Sequence, residues 1–152
     1  MILIDQLKNV FPIRTVPKSV LLDEEDNSEF SEDIRHHFIS KSWDSVTLDD
    51  WINTAGIEVM PYYMTPKAFH YYLPSLLCAT LENGEYIDWG LKAILPQNQA
   101  REPKGDWWSG FYNCINEEQR KVLREYLIYV SDNSVEYSEE KYLSEIGLKI
   151  WA

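Results

Sequence analysis

The longest stretch of the chain with almost no charge runs from Thr65 to Leu81, and its apolar residues repeat with the period of a helix. At about 100° per residue, Phe69, Tyr72, Leu73, Leu76, Leu77, Ala79 and Thr80 fall on one broad face. Lys67, Tyr71, Ser75, Cys78 and Glu82 fall on the other, which is only weakly polar and so is expected to be partly covered as well. Thr65 suits a cap, because its hydroxyl can accept from the amides of the first turn, and Pro66 suits the first helical position, where its missing N–H costs nothing. Asn83-Gly84 ends the element, since both residues tolerate the left-handed backbone of a helix terminus. Pro74 lies inside. It cannot donate to the carbonyl of His70 and its ring crowds that carbonyl, at a cost of roughly 3 kcal/mol. Leu73 is a poor cap for a fresh start. The pattern therefore predicts one buried, kinked helix rather than two short ones.

Shorter periodic segments surround this one. Leu3, Leu7, Val10 and Phe11 predict a helix that stops before Pro12. Pro12 to Leu22 reads as an extended connector with room for one short strand. Ser28 or Ser31 caps a helix to about Ser42, with Phe30, Ile34, His37 and Phe38 on one face and Glu32 and Asp33 at its dipole-favoured start. Thr47-Leu48-Asp49-Asp50 is a capping-box-like opening for a short helix through Asn53, stopped by Gly56. Ile87, Leu91, Ile94 and Leu95 have helical spacing, weakened by Gly90 and ended by Pro96. Gln97 to Asp106 reads as a long exposed loop. Asn116 to Gln119 opens the clearest amphipathic helix, through about Val130, with Val122, Leu123, Tyr126, Leu127 and Val130 inward. Ser138 starts a last helix with Tyr142, Leu143 and Ile146 inward and Gly147 at its end. Trp107 to Asn113 is aromatic and is assigned to neither helix nor strand. The expectation is an all-α fold in one domain, residues 1–152. It is a compact bundle of about six or seven short helices around the central Pro-kinked one, with room for a minor strand pair near Val16–Leu22 or Trp107–Ile115.

Composition narrows what such a bundle can do. A chain of 152 residues can bury roughly two-thirds of its unfolded surface and needs no disulfide or metal staple. Six tryptophans and ten tyrosines predict an aromatic core. Twenty-five acids against fourteen bases give a formal charge of −11, which argues against nucleic acid and anionic membrane as partners and for solubility or a basic protein partner. Asp23, Glu24, Glu25, Asp26 and Glu29 put five acids in seven residues, either a solvated loop or an acidic docking surface. Trp107 and Trp108 follow a polar loop, as core inserts or as binding anchors. Cys78 and Cys114 lie far apart. With no transmembrane run, and with Met1–Asp5 too short for a secretory apolar region, a reducing cytoplasm is expected.

Catalytic signatures are weak. His70, beside Tyr71 and Tyr72, fits a general base or a core histidine donating to a carbonyl. His36 and His37 are adjacent and face different ways on a helix, which is wrong for a metal pair. Neither His-x-x-x-His nor Cys-x-x-Cys occurs, so no metal or other cofactor is expected. Cys114 has no neighbouring histidine in sequence, Ser109 lacks the Gly-x-Ser-x-Gly elbow, and there is no phosphate-cradling Gly-rich loop.

The middle of the chain carries a more specific pattern. Phe38-x-x-Lys41-x-Trp43 is followed by Met64-Thr65-Pro66-Lys67-Ala68-Phe69-His70-Tyr71-Tyr72-Leu73-Pro74-Ser75-Leu76-Leu77, then by Ile94-Leu95-Pro96 and Gln119. This resembles an uncharacterised bacterial domain-of-unknown-function family with a Pro-x-Ala-Phe-x-Tyr-Tyr-Leu-Pro core, over about residues 28–130. The resemblance implies a small stand-alone intracellular protein and transfers no catalytic residue. The function expected is that of an acidic binding protein, most concretely an immunity protein that occludes the active site of a basic toxin. Asp23, Glu24, Glu25, Asp26 and Glu29 would steer the partner and Trp107 and Trp108 would anchor it. The alternatives are a regulatory or structural self-association module, such as a homodimer, or an enzyme using His70 or Cys114.

Overall fold

A computed structural model describes residues 1–152. The chain is all-α, with eight α-helices: α1 (Ile2–Val10), α2 (Glu29–Phe38), α3 (Leu48–Ile52), α4 (Pro66–Glu82), α5 (Ile87–Ala93), α6 (Asp106–Cys114), α7 (Glu117–Asp132) and α8 (Glu139–Ile150). Single 3-10 turns stand at Trp43–Ser45, Met60–Tyr62 and Gly84–Tyr86. In place of a minor strand pair there is one antiparallel bridge, between Leu21 and Met64. The connector from Pro12 is too rich in proline and too short of a partner to extend it.

α4 is the element the others pack on. Thr65 Oγ1 accepts from the Ala68 amide at 3.1 Å, and Pro66 fills the first position. Pro74 lies inside one unbroken 17-residue helix. Both faces are buried, because α1 and the Trp43 turn cover the side carrying Tyr71, Ser75 and Cys78 while α5 and α6 pack elsewhere on the helix. Burying the weakly polar face requires that its hydroxyls be satisfied. Tyr71 Oη accepts from the Trp43 amide and donates to the Ile13 carbonyl, and Ser75 Oγ donates to the Tyr72 carbonyl while accepting from Trp51 Nε1.

The tryptophans and tyrosines build the core. Phe38, Trp51, Phe69, Phe111 and Tyr72 meet edge to face at centroid separations from 4.9 to 5.9 Å, the arrangement that the ring quadrupole favours. A second group, Trp108, Tyr112 and Trp151, continues it under α8. Indole N–H groups inside this core need acceptors. Trp107 donates to the Met64 carbonyl and Trp151 to the Ile94 carbonyl, each at 2.8 Å.

Three expectations are corrected. The unassigned aromatic segment is helix α6. Gly147 does not end the last helix but lies within α8, where a Cβ would stand 2.7 Å from Leu127 Cδ2. The missing side chain lets α8 close on α7. Tyr142 points outward, 64% exposed, because the line that α8 buries against α7 runs through Leu143, Ser144 and Gly147, about 100° further round the helix.

Candidate functional site

The acidic segment forms a turn ahead of α2, and its five acids do different work. The Asp26 carboxylate accepts from the Ser31 hydroxyl at 2.7 Å, the Ser28 amide at 2.9 Å and the Ser28 hydroxyl at 3.0 Å. Those bonds, the Ser31 hydroxyl foremost, hold its pKa below the ordinary value. Ser28 in turn caps α2 through the Ser31 amide. Asp26 is therefore a structural brace for the helix start. Asp23 accepts from the Glu25 amide at 3.0 Å, and Glu24 accepts from the Ser19 hydroxyl at 3.1 Å. Arg35, ion-paired with Glu32, donates to the Glu24 carbonyl and pins the turn to the helix. Asp23, Glu24, Glu25 and Glu29 are exposed.

Trp107 and Trp108 are not beside this turn. Trp107 is half-buried against Phe69 and Phe111, and Trp108 is 7% exposed. Their rings are spent on the core and cannot serve as exposed anchors. Another apolar group stands next to the acids. Leu22, 51% exposed, follows the Leu21–Met64 bridge, and its own amide donates to the Tyr63 carbonyl at 2.8 Å. Phe30 in the first turn of α2 is 41% exposed and packs its ring on Tyr63 at 5.3 Å, and Tyr62 beside it is 75% exposed. Four exposed carboxylates thus share a face with Leu22, Phe30 and Tyr62. The available signal was Leu22 at the junction with the acids and Phe30 at the open end of its helix face. Tyr62 arrives from a distant segment and carried none.

His70 sits at a junction of three helices. Gln119 Oε1 accepts from the Asn116 amide at 3.1 Å, and Gln119 Nε2 donates to the Val10 carbonyl at 3.0 Å. That orientation leaves His70 Nε2, 3.0 Å from the same oxygen, as the donor. Burial pushes the His70 pKa down, against the pull of the Gln119 bond. Burial likewise pushes the Cys114 thiol up, opposed by the nearby Lys67 charge, and the Cys78 thiol up to about 11. Both are poor nucleophiles at neutral pH. His37 Nδ1 lies 2.8 Å from Asp50 Oδ1, with Lys41 on the same oxygen at 3.4 Å, while His36 is exposed.

No helix is long and apolar enough to cross a membrane. An all-α bundle organised on a proline-containing central helix, with an exposed acidic turn ahead of its second helix, is the class these observations define. The chain belongs to the family of unknown function DUF6714, whose match covers residues 5–151. Comparison with curated proteins and with solved structures gave no match.

Proposed function

We propose that this chain is an acidic cytoplasmic binding protein, not an enzyme, and that its partner is basic. In its most concrete form it is an immunity protein that occludes a toxin's active site. The observation that carries the reading is the pairing of Asp23, Glu24, Glu25 and Glu29 with the exposed Leu22, Phe30 and Tyr62 on one face. Charge at the rim accelerates encounter, and aromatic and aliphatic groups within it supply the buried contacts that hold a complex together. Placing the acids on a braced turn lowers the ordering cost of binding.

The test starts with capture of a basic partner from host lysate, including the product of the neighbouring gene, at low and moderate salt. Association kinetics with that partner are then compared for the wild type and for a variant carrying Asp23→Asn, Glu24→Gln, Glu25→Gln and Glu29→Gln. Asp26 is left in place because it braces α2. The variant should associate about tenfold more slowly, with dissociation changed far less. Unchanged association removes this face from the argument. Self-association is the second reading, favoured by Val135, Tyr137 and Tyr142 at 78%, 98% and 64% exposure on the α7–α8 side. Sedimentation velocity of the isolated protein separates the two.

A further inference from the structure

The connector from Phe11 to Ser19 arches over the N-terminal half of α4 and borders a half-open cavity of about 530 Å³. That size is typical of small-molecule sites. Its walls are largely apolar, formed by Phe11, Pro12, Val16, Pro17 and Tyr71, with His70 at the base. Arg14, Lys18 and Lys67 line it, and no Asp or Glu does, in a chain with twenty-five acids and only fourteen Lys and Arg. None of the three cations has an ion-pair partner or a side-chain hydrogen bond within the chain, whereas Arg35, Lys41 and Lys92 are all paired.

The backbone of the arch is equally uncommitted. Its ends are held from below. Trp43 Nε1 donates to the Pro12 carbonyl and Tyr71 Oη to the Ile13 carbonyl, while the Thr65 amide donates to the Val20 carbonyl. Between those ties, no amide from Ile13 to Ser19 donates to an acceptor in the chain. Thr15 has φ 70°, the left-handed conformation that a threonine rarely adopts. The hydroxyls of Thr15 and Ser19 belong to the same lining.

From this we infer that the cavity binds a small phosphate monoester with an apolar body, its phosphate held by Arg14, Lys18 and Lys67 and its body between Phe11, Val16, Pro17 and Tyr71. A dianion with three acceptor oxygens matches three cations, free amides and the unpartnered Thr15 hydroxyl better than a carboxylate does. A guanidinium adds a fork that fits phosphate in two contacts. The site is separate from the acidic face. Ser19, bonded to Glu24, marks the boundary between the cationic lining and the acids.

Phenyl phosphate is the probe, titrated into ¹⁵N-labelled protein at low salt and neutral pH. Saturable shifts are expected at the amides of residues 13–20 and 67–71. Phenol, which lacks the charge, and inorganic phosphate, which lacks the ring, should each bind at least about tenfold more weakly. Arg14→Gln with Lys67→Gln should weaken phenyl phosphate binding by a similar factor. Both side chains are exposed and unpaired, so an unchanged Tm confirms that the fold is kept. The inference is overturned by an absence of saturable shifts, by shifts elsewhere, by equal affinity in the double variant or by phenol binding as well as phenyl phosphate. Tighter binding of an acidic hexapeptide would overturn it in favour of a peptide site.

Discussion

Gly90 sets how closely α5 can lie against α4 and α7. A Cβ at this position would stand 2.0 Å from Tyr126 Oη and 2.7 Å from Thr80 Oγ1, two hydroxyls 2.7 Å apart in the dry core. Thr80 gives its own proton to the Leu77 carbonyl, so Tyr126 is the donor between them. Gly90→Ala forces this pair apart and should cost about 1–3 kcal/mol in urea unfolding. In a Tyr126→Phe background, which removes the nearest atom, the same substitution should cost less; equal costs would show that the hydroxyl is not the obstacle. His70 offers a second test at this scale. Its pKa is lowered in the fold from an ordinary value of about 6.5, so the unfolded chain takes up the proton first as pH falls. The stability contribution is whole above about pH 6.5 and is lost on acidification through that value. His70→Gln should flatten the loss of urea midpoint between about pH 7 and 5.5. A wild-type slope retained in the variant would assign the effect to other groups. Read from the sequence, His70 has two meanings, general base or core donor, and only the folded position of Gln119, forty-nine residues on, identifies its partner.

Helix starts were legible because a cap draws on residues within three positions of one another. Thr47 with Asp50, Thr65 with Ala68, and Asn116 with Gln119 all bond as their spacing predicts. What lies beyond that range was not legible. Trp107, Trp108, Phe111 and Tyr112 repeat as pairs four residues apart, a helical stripe, yet Ser109, Gly110 and Asn113 have the low helix propensity of a loop. Packing of that stripe on Phe69 and Trp151 overrides the propensity. Gly147 reads as a stop for the same reason, since no local rule reveals that Leu127 will press on it. The acids of residues 23–29 were visible as a run, but the bracing role of Asp26 needed the positions of Ser28 and Ser31. Gln119 joins the local and the distant. It completes the α7 capping box and also ties α1 and α4 to α7. Gln119→Ala should therefore cost about 2–4 kcal/mol by chemical denaturation, well above the roughly 1 kcal/mol expected for Thr47→Ala, which loses only a cap. Comparable losses in the two variants would mean that the α1 and α4 ties carry no weight.

Across the whole molecule, the formal charge of −11 is a destabilising load as well as a solubilising one. The ion pairs are mostly at exposed positions and offset little of it. Raising NaCl from about 10 to 150 mM shortens the screening length from about 30 to 8 Å, so the Tm should rise by a few degrees. A fall in Tm over this range would mean that attractive pairs outweigh the repulsion. One hydrophobic cluster of 35 buried residues, from Leu3 to Trp151, holds the bundle against this load.

The arch over the cavity has a consequence in time. One end is fastened to the Trp43 turn and to Tyr71 of α4 by side chains and the other to the Thr65 amide, and its middle has no backbone bond to break. Its middle can swing at the pace of a surface loop, nanoseconds to microseconds, while the helices beneath keep their hydrogen bonds. Access to the cavity is thereby uncoupled from the stability of the fold, and a visitor can come and go many times between one unfolding event and the next.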